Sequence, residues 1–234
     1  RIVAGGHRQK EGIHYKDISS PVVSIDTVRL LLAVSLLLNL YTHGMDFMAA
    51  YLNGSLEAET LTYLFIPKGC NGYGKGKLWK LKKALYGLKQ AGYLWFIKLA
   101  TFLIGIGFTQ SCVDPCLFIF HDAAVICLIA VYVDDLIISC SSMDFMRRVK
   151  AKLSDEFAMT DMNELNWYLG IQITRTTDYI RLSQKALIQK IIATAKLTNA
   201  RGMKTPADKH RLKKTDTETD EYKNFPYRKL VGML

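Results

Sequence analysis

Apolar residues in this 234-residue chain arrive in blocks with two kinds of spacing. After Asp26 and Thr27, either of which could cap a helix, leucines occupy nearly every face as far as Asn39, with Arg29 polar. A helix that apolar belongs inside a protein rather than on its surface. Tyr93–Gly105 predicts another helix, with Trp95, Leu99 and Phe102 on one side. Met143–Phe157 predicts an amphipathic one with Arg147, Arg148, Lys150 and Lys152 outward, and Leu182–Leu197 a fourth. Strand-like runs lie between them. Arg1–Gly12 reads as an exposed strand or hairpin arm, and Tyr41–Ala50 as a short strand with Asp46 between Met45 and Phe47. Thr60–Ile66 and Cys116–Phe120 follow, and then Trp167–Ile173, whose Gly170 marks a bulge or a close backbone approach. Asn53-Gly54, Pro67 with Gly69, Asp114-Pro115 and the GYGKGK stretch Gly72–Lys77, a flexible hairpin tip, are turn signals. Lys204–Tyr222 is polar, charged and linker-like.

One block departs from the rest. In Ala123–Cys140 two aspartates, Asp134 and Asp135, interrupt a long apolar run rich in β-branched residues. Such runs predict buried strands, and the acidic pair at their junction predicts a tight strand–turn–strand. Ionised carboxylates in an apolar setting must shift their pKa, pair with cations or bind metal. Neighbouring residues on a strand point to opposite faces, so both can serve one ion only from a turn. A metal site here therefore requires another carboxylate from elsewhere in the chain. An ordinary Asp-containing hairpin turn is the alternative.

Composition narrows the partners. Lys and Arg total 31 against 21 Asp and Glu, a net charge of +10, which favours a polyanionic partner such as nucleic acid or a membrane surface. The stretch Leu78–Gln90 is lysine-rich, with Lys80, Lys82, Lys83 and Lys89 beside Lys77. Trp79, Tyr86, Tyr93 and Trp95 complete the basic-plus-aromatic mixture of nucleic-acid surfaces, or else a solvated lysine face beside core aromatics. GYGKGK lacks the GK[ST] ending of a phosphate-binding loop. The five cysteines form no CxxC pair and read as reduced, mostly buried thiols of an intracellular protein. The apolar run Leu30–Leu38 is too short to span a bilayer, so no membrane partner is expected. A start without Met and a finish at Val231-Gly232-Met233-Leu234 in mid-pattern lead us to expect a piece of a longer polypeptide.

Ordered motifs then become specific. SPVV at Ser20–Val23, the MD…AYLNG segment at Met45–Gly54, LKKALYGLKQA at Leu81–Ala91, DPCLF at Asp114–Phe118 and YVDD at Tyr132–Asp135 are followed by LGIQI at Leu169–Ile173, LSQ at Leu182–Gln184 and PYRKLVG at Pro226–Gly232. With these the chain resembles, over nearly its whole length, the reverse transcriptase of copia-type (Pseudoviridae) retrotransposon pol polyproteins.

The resemblance implies an α+β right-hand polymerase fold, with an antiparallel palm sheet packed on helices, fingers and a partial thumb. Its parts would be fingers at 1–21, palm at 22–53, fingers at 54–90, palm with catalytic hairpin and primer grip at 91–176, and the start of a thumb at 177–234. The implied activity is RNA-directed DNA polymerisation by two-metal deoxynucleotidyl transfer. Asp46, Asp134 and Asp135 are the implied catalytic and metal-binding residues, with two Mg²⁺ ions (Mn²⁺ as substitute) as cofactor. Phe47 through its backbone oxygen, Tyr51 as steric gate against a ribose 2′-hydroxyl, Tyr86, Gly87, Tyr132 and Arg1 would contact substrate. Leu169-Gly170 would be the primer grip. Implied partners are deoxynucleoside triphosphates, an RNA–DNA or DNA–DNA primer–template, and flanking integrase and ribonuclease H. The implied location is a cytoplasmic virus-like particle or the nucleus.

Four places depart from the family pattern. Met48 replaces a polar or basic residue, Gly92-Tyr93 replace Pro-Arg, and Ile66 and Cys70 replace Gln and an aromatic. Two other readings stay open: an inactive, decayed fragment that at most binds nucleic acid, and a palm-type nucleotide cyclase or other nucleotidyltransferase.

Overall fold

The computed structural model describes residues 2–56, 62–66, 70, 78–204 and 225–234, which fall into two compact units. The first runs to Asn166 and includes 175–180; the second comprises 167–174 and the chain from Arg181 onward.

In chain order the first unit contains α1 (Ile25–Leu37), β1 (Tyr41–Phe47), β2 (Tyr63–Phe65), β3 (Leu78–Lys80), α2 (Ala91–Gly105), β4 (Thr109–Gln110), β5 (Leu117–His121), β6 (Ile126–Tyr132), β7 (Asp135–Cys140), α3 (Met143–Glu156) and β8 (Met159–Glu164). Six of the strands make one antiparallel sheet in the order β4-β5-β6-β7-β1-β8, and β2 pairs with β3 as a separate ribbon. The apolar run of the sequence becomes the two middle strands β6 and β7. Cys127–Val131 and Leu136–Cys140 are buried throughout, as unbroken β-branched runs require. Both α1 and α3 pack against β7.

Side-chain contacts fix how these pieces meet. Ser24, rather than Asp26 or Thr27, caps α1: its Oγ accepts from the Thr27 amide at 3.0 Å. The Asp114 carboxylate holds that same end, accepting from the Ser24 amide (3.0 Å), the Thr27 hydroxyl (2.6 Å) and the Cys116 amide (2.9 Å). Burial opposes its charge, but these donors outweigh burial and hold it below the usual carboxylate range. At the other end of α1, the Arg175 guanidinium donates to the Ser35 carbonyl (3.2 Å), the Leu40 carbonyl, Asn39 Oδ1 (3.4 Å) and Thr42 Oγ1 (3.3 Å). One cation thus ties the helix C-terminus to the start of β1.

Sheet edges are short or polar. β4 has two residues; β8 (MTDMNE) is exposed over most of its length, shifts register at Gly44/Met45 and holds Asn163 at a left-handed φ of 57°.

Several sequence expectations change. Lys150 points inward, 11% exposed, donating to Asp161 (2.7 Å) and lying 2.7 Å from His43 Nδ1. Burial and the lysine charge hold His43 below its ordinary pKa. Residues 2–12 form a 3-10 turn at Gly6–Arg8 and a single bridge from Glu11 to Tyr15 instead of a strand, and the Ala4 amide bonds across to the Tyr86 carbonyl (2.7 Å). The Tyr41–Ala50 run ends as a strand at Phe47, where Ala49 adopts a left-handed φ of 54° and starts a 3-10 turn over Ala50–Asn53. Arg1, the Gly72–Lys77 tip and the linker from residue 205 to Tyr222 lie outside the described residues.

In the second unit the expected single strand Trp167–Ile173 is instead two, β9 (Trp167–Tyr168) and β10, which begins at Ile171 and runs to Arg175 in the first unit. Leu169 (φ 48°) and Gly170 (φ 78°) form the two-residue loop between them, so Gly170 closes a hairpin rather than a bulge. β11 (Ile180–Ser183) joins this sheet on the other side of β10. The helix expected from Leu182 starts at Lys185, as α4 (Lys185–Thr194), and α5 (Tyr227–Val231) follows the undescribed segment.

Candidate active site

β6 and β7 are joined by a two-residue turn, Val133-Asp134, closed by the pair Tyr132 and Asp135. Asp134 is therefore in the turn and Asp135 opens β7. Next to β7, the β1 register sets Asp46 directly opposite Asp135. The Phe47 amide donates to the Asp134 carbonyl at 2.8 Å, which makes Asp46 and Asp135 a non-hydrogen-bonded pair. In such pairs the Cα atoms stand about 4.5 Å apart and facing side chains come closest. The distant third carboxylate that the acidic hairpin demanded is supplied by the neighbouring strand, 88 residues earlier than Asp134.

The three charges feel one another. Burial, then the Asp134 charge, raises Asp46 above the usual carboxylate range; burial, then Asp134 and Asp46, raises Asp135. None of the three belongs to an ion pair found among the described residues. Among those residues, no three His, Cys, Asp or Glu side chains are gathered closely enough to enclose an ion. Hard oxygen donors with no ion-pair partner among the described residues, two of them (Asp46 and Asp135) with raised pKa values, are a donor set that fits a divalent cation such as Mg²⁺.

Adjacent positions on β1 point to opposite faces, so Phe47 turns away from the carboxylates. Its ring is 2% exposed and meets Trp95 edge-on (4.7 Å) and Phe157 (5.4 Å), so its side chain belongs to the core. Trp95, on α2, is 1% exposed. It is therefore a core residue and not part of a nucleic-acid stacking surface. Its indole Nε1 donates to the Val133 carbonyl at 2.7 Å, at the turn itself. Nothing in the sequence pattern singled out that contact.

Tyr51, in the 3-10 turn that follows β1, packs against Tyr86 (ring centroids 4.9 Å apart). Burial, then the Asp134 carboxylate and Tyr86, raises its hydroxyl pKa, which places it near the acidic turn. Gly87 follows Tyr86 at φ 89°, where a Cβ would lie 2.2 Å from the Ala4 carbonyl oxygen; only glycine fits. Tyr132 is half-buried at the hairpin's closing pair. Leu169 and Gly170 are the hairpin loop of the second unit. Of the departures, Met48 is 54% exposed, so no buried polar partner is orphaned by it. A Cβ at Gly92 would stand 2.9 Å from Ser20 Cβ, so this chain's Ser20 loop fits a glycine there.

The family model for reverse transcriptase (RNA-dependent DNA polymerase) matches residues 1–209. The chain belongs to that family. Retrovirus-related Pol polyproteins of plant transposons are similar along its whole length: 33% identity to that of transposon TNT 1-94 from Nicotiana tabacum and 32% to that of RE1 from Arabidopsis thaliana. These are copia-type elements, as the ordered motifs implied. The chain spans 18% and 16% of the length of these two relatives. Among solved structures, apo telomerase from Candida tropicalis truncated from its C-terminal domain overlaps 70% of this chain and 41% of its own, at TM-score 0.38 and 16% identity, a likeness too slight to argue from. As a member of this reverse transcriptase family, the chain has the α+β architecture, an antiparallel sheet packed on helices, that its sequence implied.

Proposed function

We propose that this chain is the polymerase part of a copia-type Pol polyprotein, adding deoxynucleotides to a primer 3′-hydroxyl on an RNA or DNA template. The observation that carries this reading is Asp46 opposed to Asp135 with Asp134 in the adjoining turn. Asp46 and Asp134 would hold two Mg²⁺ ions, or Mn²⁺ in their place, together with the Phe47 backbone oxygen, and Asp135 would support them. When bound, such ions lower the pKa of an attacking hydroxyl and neutralise charge on a triphosphate and its leaving group.

The protein's own part is positioning. The buried ladder of β6, β7 and β1 holds the carboxylates on a rigid base. Tyr132 borders the turn, where a primer terminus would lie. Tyr51 and Tyr86, their rings tilted against each other, form an aromatic wall near it, and Gly87, packed against Ala4, would lie beside the template or nucleotide. Leu169-Gly170 offers a two-residue hairpin loop as primer grip, and Arg1 would grip the triphosphate. The division into fingers, palm and thumb given above is part of the same proposal. So are flanking integrase and ribonuclease H domains and residence in a virus-like particle or nucleus. Exposed Lys82, Lys83 and Lys89 support contact with nucleic-acid phosphates.

Primer extension on a homopolymeric RNA template with Mg²⁺ tests the reading, using the chain and a version extended beyond Leu234. Template-directed incorporation that stops on chelation is expected. Salt-sensitive primer–template binding with no incorporation by either version would favour the inactive-fragment alternative, which the departures at Met48, Gly92-Tyr93, Ile66 and Cys70 support. A narrower expectation concerns Tyr51: Tyr51→Ala should raise ribonucleotide incorporation relative to deoxynucleotide by about 10-fold or more, the loss of a ring that would meet a 2′-hydroxyl. Competition between dGTP and rGTP in single-nucleotide extension checks it; an unchanged ratio would remove the gate assignment.

A further inference from the structure

Val133 occupies the first position of the catalytic turn at φ 56°, a left-handed conformation that a β-branched residue strongly disfavours. The turn's own sequence therefore does not hold its shape. Beyond the ladder pair Tyr132 and Asp135 that closes it, two bonds from outside the hairpin brace it: the Phe47 amide to the Asp134 carbonyl (2.8 Å) and the Trp95 indole to the Val133 carbonyl (2.7 Å). The first comes from the strand that carries Asp46. The second comes from a helix, α2, with no other part in the acidic cluster.

Trp95 is also the centre of an aromatic group. Its ring meets Phe47 edge-on at 4.7 Å and Phe157 at 5.3 Å, and Phe47 is covalently next to Asp46. One side chain thus touches both carriers of the acidic site, β1 through its ring and the β6–β7 turn through its N–H. At 1% exposure it is held by packing on all sides, and its N–H has a single orientation to offer.

We infer that Trp95 is a positioning residue, setting the distance between Asp46 and the Asp134 turn by clamping Phe47 and the Val133 carbonyl to one rigid ring. The clamp is independent of substrate, and its link to turnover rests on the polymerase reading above. Without the N–H bond, the turn is expected to relax toward an ordinary φ at Val133, and Asp134 to lose its register against Asp46. Carboxylates that are repelling one another would then drift apart, and cation affinity would fall with turnover.

The test compares Trp95→Phe, which keeps most of the ring and removes the N–H, with Phe157→Leu, which weakens the same aromatic group and leaves the N–H bond alone. Replacing Trp95 by benzothienylalanine, which keeps the indole shape with sulfur in place of N–H, guards against a Trp95→Phe chain that does not fold. Hydrogen–deuterium exchange of the protein without ligands is read at Val131–Leu136 and at Phe47. Loss of the N–H should speed exchange there by 10-fold or more, and Phe157→Leu should leave it within 3-fold. In primer extension, the N–H-deficient chains should show a kcat lower by 10-fold or more, a half-saturating Mg²⁺ concentration raised at least 5-fold, and a nucleotide KM within 3-fold. A merely structural tryptophan would lower thermal stability in all variants alike and leave turn exchange and Mg²⁺ half-saturation unmoved, and that result would overturn the inference. If the unmodified chain binds Mg²⁺ but never extends a primer, the polymerase reading fails, while the exchange data still decide the clamp.

Discussion

Asp134→Asn should cut nucleotide incorporation by about 10³-fold or more and leave primer–template affinity within about 2-fold. It should also make the protein more stable near neutral pH. Asp46 and Asp135 sit above the usual carboxylate range, through burial first and the Asp134 charge second. An acid whose folded-state pKa is raised binds more protons folded than unfolded. Its stabilising effect is therefore complete at low pH and falls as pH rises from the unfolded value, about 4, through the folded one. Removing the Asp134 charge narrows that interval. Thermal unfolding from about pH 3 to pH 8 should show a shallower decline for the variant and a higher midpoint at the upper end. Retained incorporation would remove Asp134 from the site, whereas lost incorporation with a lowered midpoint would signal damage to the fold.

Arg175→Met carries the second large expectation, on stability rather than turnover. The guanidinium serves four acceptors, among them the Ser35 carbonyl at the end of α1 and the Leu40 carbonyl before β1. Methionine preserves much of the alkyl stem and supplies no donors. Charge-assisted bonds contribute more than neutral ones, a cation at a helix C-terminus adds to them, and Ser35 and Leu40 are buried. We expect a loss of about 2–4 kcal/mol in urea unfolding, reduced from the sum of the separate bonds because Arg175 is partly solvated. A change below about 0.5 kcal/mol would show that water replaces the clasp at no cost.

Local signals were legible wherever one residue type has one physical solution. The β6–β7 hairpin could be read from a β-branched run broken by two acids, because no other arrangement buries the run and keeps the acids at a turn. The need for a further carboxylate followed from the same reasoning, but Asp46 itself became visible only through family resemblance, since strand order is not written in any short segment. Lys150 misled because amphipathic spacing reports which side of a helix a residue lies on, not whether an acid such as Asp161 waits there. Trp95 misled in the opposite sense: aromatic residues among lysines suit both a stacking surface and a core, and only burial separates them. The Trp167–Ile173 run shows a third limit. Its apolar pattern continues through Leu169-Gly170, and only two successive positive φ values reveal the fold-back.

The polar outermost strand of the main sheet has its own consequence. With polar residues along nearly all of β8 and an irregular backbone at Asn163, this border is a poor template for a second copy's strand. The opposite border, two residues long, gives too little ladder to template growth. A chain with half its residues hydrophobic thereby offers little free apolar ladder, at either border of its main sheet, for a second copy to extend.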